Sequence, residues 1–169
     1  MISSKTDYKR YLQSDWLRMR ITRKVPRPFM DYEWRYLRCL RKVEYLMNCK
    51  GTLYKPLLLF YQIKLYRLRL KTGFTIPPNT FKEGLLLWHT GTIIVNAKSR
   101  IGRNCVLHCC TNISQNVKIG DNVYIAPGVK ILDNVEIADG VKIGANAVVS
   151  RSILETNAKA LGVPARIVE

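Results

Sequence analysis

From residue 95 onward an aliphatic side chain returns at every sixth position: Val95, Ile101, Leu107, Ile113, Ile119, Ile125, Ile131, Ile137, Ile143 and Val149. Four residues after each comes a second, mostly smaller set: Ser99, Cys105, Thr111, Val117, Val123, Val129, Val135, Val141, Ala147 and Ile153. Glycines and asparagines such as Gly102, Gly120, Asn104 and Asn116 fall between the two sets, and these residue types tolerate tight corners. On a 3.6-residue helix, two apolar positions per six would drift around the cylinder, so the period does not describe a helix. It describes short β segments, each ending in a corner, with one aliphatic residue pointing inward per side. Three sides close one coil, and stacked coils satisfy each other's backbone groups. An ordinary β-meander is the alternative, and a frame kept through ten hexads argues against it.

Upstream of Val95 the frame changes. Counting back by six puts His89 into an inward slot, which is wrong for a polar ring. A second frame of Phe81, Leu87 and Ile93, with Leu85 and Gly91 as its smaller positions, fits better. It requires the run Ile93-Ile94-Val95 to absorb a slip of two residues. His89 then stands at a corner, facing out, two places past the inward Leu87. His108 directly follows the inward Leu107 and also faces out. One coil separates the two units, so both imidazoles are expected on one side of the prism, on coils stacked about 4.8 Å apart.

The first 73 residues carry no such period and read as helices. One spans residues 6–19, after the capping candidates Ser3, Ser4 and Thr6. A second spans 31–48, beginning past Pro26 and Pro28 and stopping before Gly51. A third, over 53–71, collects Leu59, Ile63, Tyr66 and Leu70 on one face with Lys64, Arg67 and Lys71 off it, and ends at Gly73 before Pro77 and Pro78. The resulting division is a basic α-helical region over 1–73, a repeat region over 74–157 and a C-terminal tail over 158–169. No apolar run approaches the ~18 residues of a membrane span. The N-terminus lacks the apolar segment of a signal peptide, so the expected location is cytoplasmic.

Charge divides the chain in the same place. Residues 1–82 hold 19 basic and 5 acidic side chains, a net of +14 out of the chain's +16. Three readings of this basic half stay open: a solvated face on helices packed against the repeat or a neighbouring subunit, peripheral attraction to an anionic membrane, or contact with nucleic acid. No known nucleic-acid motif is present, so no specific nucleic-acid partner is expected. The five cysteines, Cys39, Cys49, Cys105, Cys109 and Cys110, are odd in number and form no CxxC pair, which argues against a disulfide framework. Cys105 occupies an inward frame position and is expected to be core. Cys109 and Cys110 lie beside His108, where a nucleophile or metal site is conceivable, but no metal is expected.

The hexads, the closing "ALGVPARIVE" (160–169) and the stretch "GLLLWHTGTIIVNAKSRIGRNCVLHCCTNIS" (84–114) resemble the hexapeptide-repeat acyltransferases. Within that family they are similar to the serine O-acetyltransferases and their polysaccharide-acetylating relatives. "YLQSDWLRM" (11–19) resembles the start of the helical N-terminal region of that branch. The resemblance implies a mainly β fold, a left-handed parallel β-helix behind an α-helical N-terminal region, assembled as a homotrimer. It also implies O-acetyl transfer from acetyl-CoA to serine or to a hydroxyl of a sugar or polysaccharide precursor.

Such a reaction needs a base for the acceptor hydroxyl, and histidine titrates near working pH. The resemblance assigns that role to His89, with His108 as a second site residue. Backbone N–H groups at the Gly91 corner are candidate oxyanion donors. By position in the family's coenzyme cleft, Ala126, Lys142, Gly144, Ala145, Arg151 and Arg166 are candidates for holding acetyl-CoA. Two departures stand out. The serine enzymes place an aspartate about fifteen residues upstream of their histidine, where this chain has Phe74, leaving Glu83 as the nearby carboxylate candidate. They also carry an extended loop with another histidine where the hexads here run straight through "ISQNVK". Both departures turn the expected acceptor from free serine towards a sugar hydroxyl or an unrecognised acceptor. They also keep open a catalytically degenerate trimer acting as a binding or scaffold protein. A γ-type carbonic anhydrase would need three histidine ligands, and the chain has two.

Overall fold

The computed structural model describes residues 1–19, 24–27 and 29–168; Pro28 and Glu169, used above as signals, lie outside them. Three helices precede a parallel β-helix of about five coils. Helix α1 (Lys5–Arg18) starts where Ser4 Oγ accepts a hydrogen bond from the Asp7 N–H, while the Asp7 carboxylate accepts in return from Ser3. Helix α2 (Tyr32–Cys49) is central and buries Trp34, Tyr36, Leu37, Leu40 and Val43. Helix α3 (Lys55–Thr72) ends at Gly73, whose φ of 79° is the left-handed closing conformation that glycine adopts without a Cβ penalty. The first strand begins at the next residue, Phe74.

The repeat folds as its period requires. One face of the prism stacks Phe74–Thr75, Ile93–Val95, Thr111–Ile113, Lys130–Ile131 and Val148–Val149. A second stacks Arg100–Ile101, Lys118–Ile119 and Glu136–Ile137. The third stacks Leu86–Trp88, Val106–His108, Tyr124–Ile125, Lys142–Ile143 and Lys159–Leu161. Every pairing between coils is parallel. Both six-residue sets point inward, from Ile101 and Cys105 through to Val149 and Ile153. Burial pushes the Cys105 thiol up to about 12, as suits a small core residue. Asparagines 104, 116, 122, 134 and 146 hold the corners at positive φ. The upstream frame holds as far as Leu87: Phe81, Leu85 and Leu87 are buried, but Ile93 pairs with Thr111 and so already belongs to the second set of the downstream frame, and Ile93 and Val95 both face in with Ile94 between them facing out.

The C-terminal residues do not form a loose tail. Lys159–Leu161 continues the third face, and Arg166–Val168 turns back antiparallel against it, so the last coil is closed by a strand pair.

The helices dock on the first coil through a buried ionic network that the sequence reading missed. Asp15 on α1 and Arg41 on α2 are fully buried, with Asp15 Oδ2 2.8 Å from Arg41 Nε. The Asp15 carboxylate also accepts the N–H groups of Gly84 and Leu85, at 2.8 and 3.0 Å. Arg41 donates to the carbonyls of Phe81 and Lys82 and to Glu44, whose other oxygen accepts the Asn79 N–H. Burial pushes the Asp15 carboxyl up, while Arg41 and the two amides pull against it. Each group taken out of water is therefore met by a partner, as buried charges require. The sequence signal was present, an Asp and an Arg each set in the apolar face of an amphipathic helix.

Helix α3 departs from expectation. It buries Leu65, Leu68 and Thr72 against the rest of the chain, whereas the predicted face of Leu59, Ile63, Tyr66 and Leu70 points into solvent.

Candidate active site

The edge between the third and first faces carries both histidines. In the second coil two residues, Cys109 and Cys110, turn this corner between His108 and Thr111. In the first coil, four residues lie between Trp88 and Ile93, His89 and Gly91 among them. Strand register is the same on either side, Trp88 opposite His108 and Ile93 opposite Thr111, so the first corner bulges by two residues. The slip of two residues is real, but it falls in this corner, one step before the run Ile93-Ile94-Val95 to which the sequence assigned it, and that run is a regular strand. The bulge lifts His89 to the surface at φ 59°, a left-handed conformation that a non-glycine residue holds only where its surroundings enforce it. Gly91, at φ 145°, brings the bulge against the next coil, where an added Cβ would lie 2.9 Å from the Cys109 Cβ.

Both imidazoles meet the Trp88 ring, the His89 centroid at 5.9 Å and the His108 ring stacked at 6.0 Å. Tyr124, one coil further, presents its ring to His108 edge-on at 5.3 Å. The His108 backbone is fixed by Thr111, whose hydroxyl donates to the His108 carbonyl at 2.8 Å. Its ring nitrogen Nε2 is buried and has no hydrogen-bond partner within the chain. Burial, and secondly the nearby His89, hold the His108 pKa below its ordinary 6.5. His108 is therefore a neutral imidazole near pH 7, with its Nε2 unpaired beneath the surface. Trp88 and Tyr124 were not picked out from the sequence. The signal available was their outward position beside the two histidines.

Below His108 the same edge position becomes small. Register places Ala126 and then Gly144 under His108 on successive coils. Gly144 cannot be larger without moving its neighbour, because an added Cβ would fall 1.9 Å from Leu161 Cδ2. Lys142 lies on the same face in register with Tyr124, Ala145 follows Gly144 at the corner, and Arg166 pairs opposite Leu161. Four of the six residues expected to hold a coenzyme thus lie along the histidine edge, with Lys142 on the adjoining face.

Three further candidates lie elsewhere or are already engaged. Arg151 follows the first-face strand Val148–Val149 and belongs to the next edge of the prism. Glu83 does not reach His89, since its carboxylate is drawn to Arg10 and Arg103, at 4.0 and 3.7 Å. Gly91 cannot offer its N–H to an oxyanion, because that group donates to the Thr72 carbonyl at 2.8 Å. Among the described residues, no carboxylate hydrogen-bonds to either imidazole, and no three His, Cys, Asp or Glu gather as a metal site.

The repeat matches the bacterial transferase hexapeptide (six repeats) family over residues 98–133 and 116–151. No curated protein matches the chain. Among solved structures, a serine acetyltransferase in complex with CoA superposes with a TM-score of 0.78 at 25% identity, covering 97% of this chain and 71% of that one. The soybean serine acetyltransferase apoenzyme gives 0.78 at 24%, covering 98% and 71%. The serine acetyltransferase of Brucella abortus strain S19 gives 0.76 at 22%, covering 97% and 70%. At these last two identities the likeness is one of fold.

Proposed function

We propose that this hexapeptide-repeat chain, serine acetyltransferase-like in fold, transfers an acetyl group from acetyl-CoA to a hydroxyl of its acceptor. The observation that carries the reading is the bulged corner, where His89 and His108 both meet the Trp88 ring above a column of small residues. His89 takes the proton of the acceptor hydroxyl as that oxygen attacks the thioester carbonyl carbon. The tetrahedral adduct collapses with cleavage of the C–S bond, and the proton held by His89 passes to the departing thiolate. A base so placed typically contributes ~10²–10⁴-fold. His108, kept neutral by burial and by His89, stands beside the Trp88 ring and orients the acceptor at this corner.

Ala126, Gly144 and Ala145 leave room for the pantetheine arm, and Lys142 and Arg166 meet its phosphates. A neighbouring subunit of a homotrimer supplies the other wall of the coenzyme site.

The acceptor that suits this edge is a sugar hydroxyl. Free serine would bring an ammonium and a carboxylate, and no carboxylate of the described residues meets the imidazoles to pair the ammonium. Trp88 and Tyr124, 41% and 36% exposed, instead offer ring faces to the C–H faces of a pyranose.

The test is thiol release from acetyl-CoA with serine and with a panel of nucleotide sugars, for the wild type and for His89→Ala. Release with a sugar, lost in His89→Ala, is the expected result. Release with serine alone would overturn the acceptor. No release with any acceptor, together with no thermal shift on adding CoA, would leave a trimeric scaffold in place of an enzyme.

A further inference from the structure

The outward face of α3 is built for a surface that is apolar and negatively charged. Leu59, Ile63, Tyr66 and Leu70 follow one another at helical spacing and are exposed by 58, 47, 58 and 70%. Leu53, Leu57 and Phe60, near the start of the helix, are also exposed. Large apolar side chains scattered singly over a protein surface are ordinary, but a run of them along one helix marks a contact site. The buried face of the same helix is already used, by Leu65, Leu68 and Thr72, so the outward one has no role in the fold of the chain.

The charges select the occupant. Helix α3 carries Lys55, Lys64, Arg67, Arg69 and Lys71 and no acidic residue. On the helical wheel Lys64, Arg67 and Lys71 border the apolar stripe on one side, and Lys55 and Arg69 on the other. Lys64 also borders a groove of about 410 Å³ between the helices, whose walls include Arg35, Arg38 and Lys42 and no carboxylate. A second copy of α3 laid on this face would set like charges against like. Phosphate alone would satisfy the cations and leave the aliphatic side chains in water. An anionic bilayer satisfies both, because its acyl boundary takes up the apolar stripe while its headgroups meet the lysines and arginines.

We propose that α3 lies in the surface of an anionic membrane, with the Leu59–Ile63–Tyr66–Leu70 stripe inserted and Arg67 and Lys71 among the headgroups. The contact is peripheral, since no described helix is long and apolar enough to cross a membrane. It does not depend on the chemistry proposed for the histidine edge, and it stands or falls separately from that activity.

Flotation of the full chain with vesicles tests it, comparing phosphatidylcholine alone with phosphatidylcholine containing about one third phosphatidylglycerol. Binding is expected only to the anionic vesicles. It should be released at 1 M salt, where the Debye length falls from ~10 Å to ~3 Å. With each basic residue near the surface contributing ~1 kcal/mol, Arg67→Gln/Lys71→Gln should lower partition about thirtyfold. Ile63→Asp/Leu70→Asp should abolish it while keeping the wild-type circular dichroism, since both positions are exposed. Binding equal on neutral and anionic vesicles, or absent from both, overturns the proposal. A smaller assembly in the Ile63→Asp/Leu70→Asp variant, measured by light scattering, with no vesicle binding by the wild type, would assign the face to a second copy instead.

Discussion

Replacing Asp15 with alanine tests how the helical region is held on the β-helix. The carboxylate accepts four hydrogen bonds, from Arg41 Nε and Nη2 and from the amides of Gly84 and Leu85. In the variant the two amides lose their acceptor, and Arg41, fully buried, keeps Glu44 and the carbonyls of Phe81 and Lys82. Breaking a buried ion pair costs ~3–5 kcal/mol, most of it from the charge left behind. Because Glu44 still faces Arg41, the lower end applies, about 3 kcal/mol. At ~2–4 °C per kcal/mol for a chain of this size, Tm should fall by roughly 6–12 °C. Hydrogen exchange should show the Gly84 and Leu85 amides losing protection while Ile125 and Ile143, deep in the prism, keep theirs. The double variant Asp15→Ala/Arg41→Leu separates a specific pair from general packing. Removing both charges relieves the uncompensated guanidinium, so the double should lose less stability than the two single variants added together. A fall of less than ~2 °C for Asp15→Ala, or additive losses in the cycle, would refute the account of the network as the helical dock.

At the candidate site, His89→Ala should lower kcat by ~10²–10⁴ with little change in affinity for CoA, and rescue by added imidazole would mark the lost group as a base. The His108 ring, followed by NMR, should titrate below its ordinary 6.5, and its midpoint should rise in His89→Gln, because one of the two causes of the shift is the neighbouring imidazole. The stability linkage has a definite sign. As pH falls through 6.5 the unfolded chain takes up a proton that the folded site resists, so the contribution of His108 is full above 6.5 and is lost towards lower pH. A midpoint at or above 6.5 would contradict the burial argument. Thiol labelling at pH 8 should spare Cys39 and Cys105, whose pKa values burial pushes up to about 11 and about 12, and should modify the exposed Cys110 first.

The parts of this molecule that were legible in the sequence are those governed by a period. A hexad fixes which side chain points inward, so Cys105, Val117 and Ile143 could be placed in the core by counting; the two-residue slip before Val95 could be counted too, but not its place in the corner after Trp88. Helix ends were legible from caps for the same local reason, as at Ser4 and Gly73. Contacts across long sequence separations were not. Glu83 looked available to His89 by proximity in sequence, yet it lies across the coil beside Arg10 and Arg103. Gly91 looked free, yet its N–H closes the junction with the end of α3 at Thr72. The stripe on α3 was legible as a pattern, but its direction was not, because a helix with Leu65 and Leu68 on one side and Ile63 and Tyr66 on the other offers two faces to bury. The histidine corner unites both lessons. A regular corner of this edge takes only two residues, as Cys109 and Cys110 do in the second coil, which limits how far a side chain there stands from the prism. Two extra residues free one corner from that constraint, and His89 occupies the freed position at positive φ. A deletion of Thr90 and Gly91 would restore the regular corner and pull the His89 ring back against Cys109. The β-helix should then keep its fold, at the cost of the Gly91–Thr72 hydrogen bond, while losing acetyl transfer. If that shortened chain retained activity, the bulge would not be what makes the site.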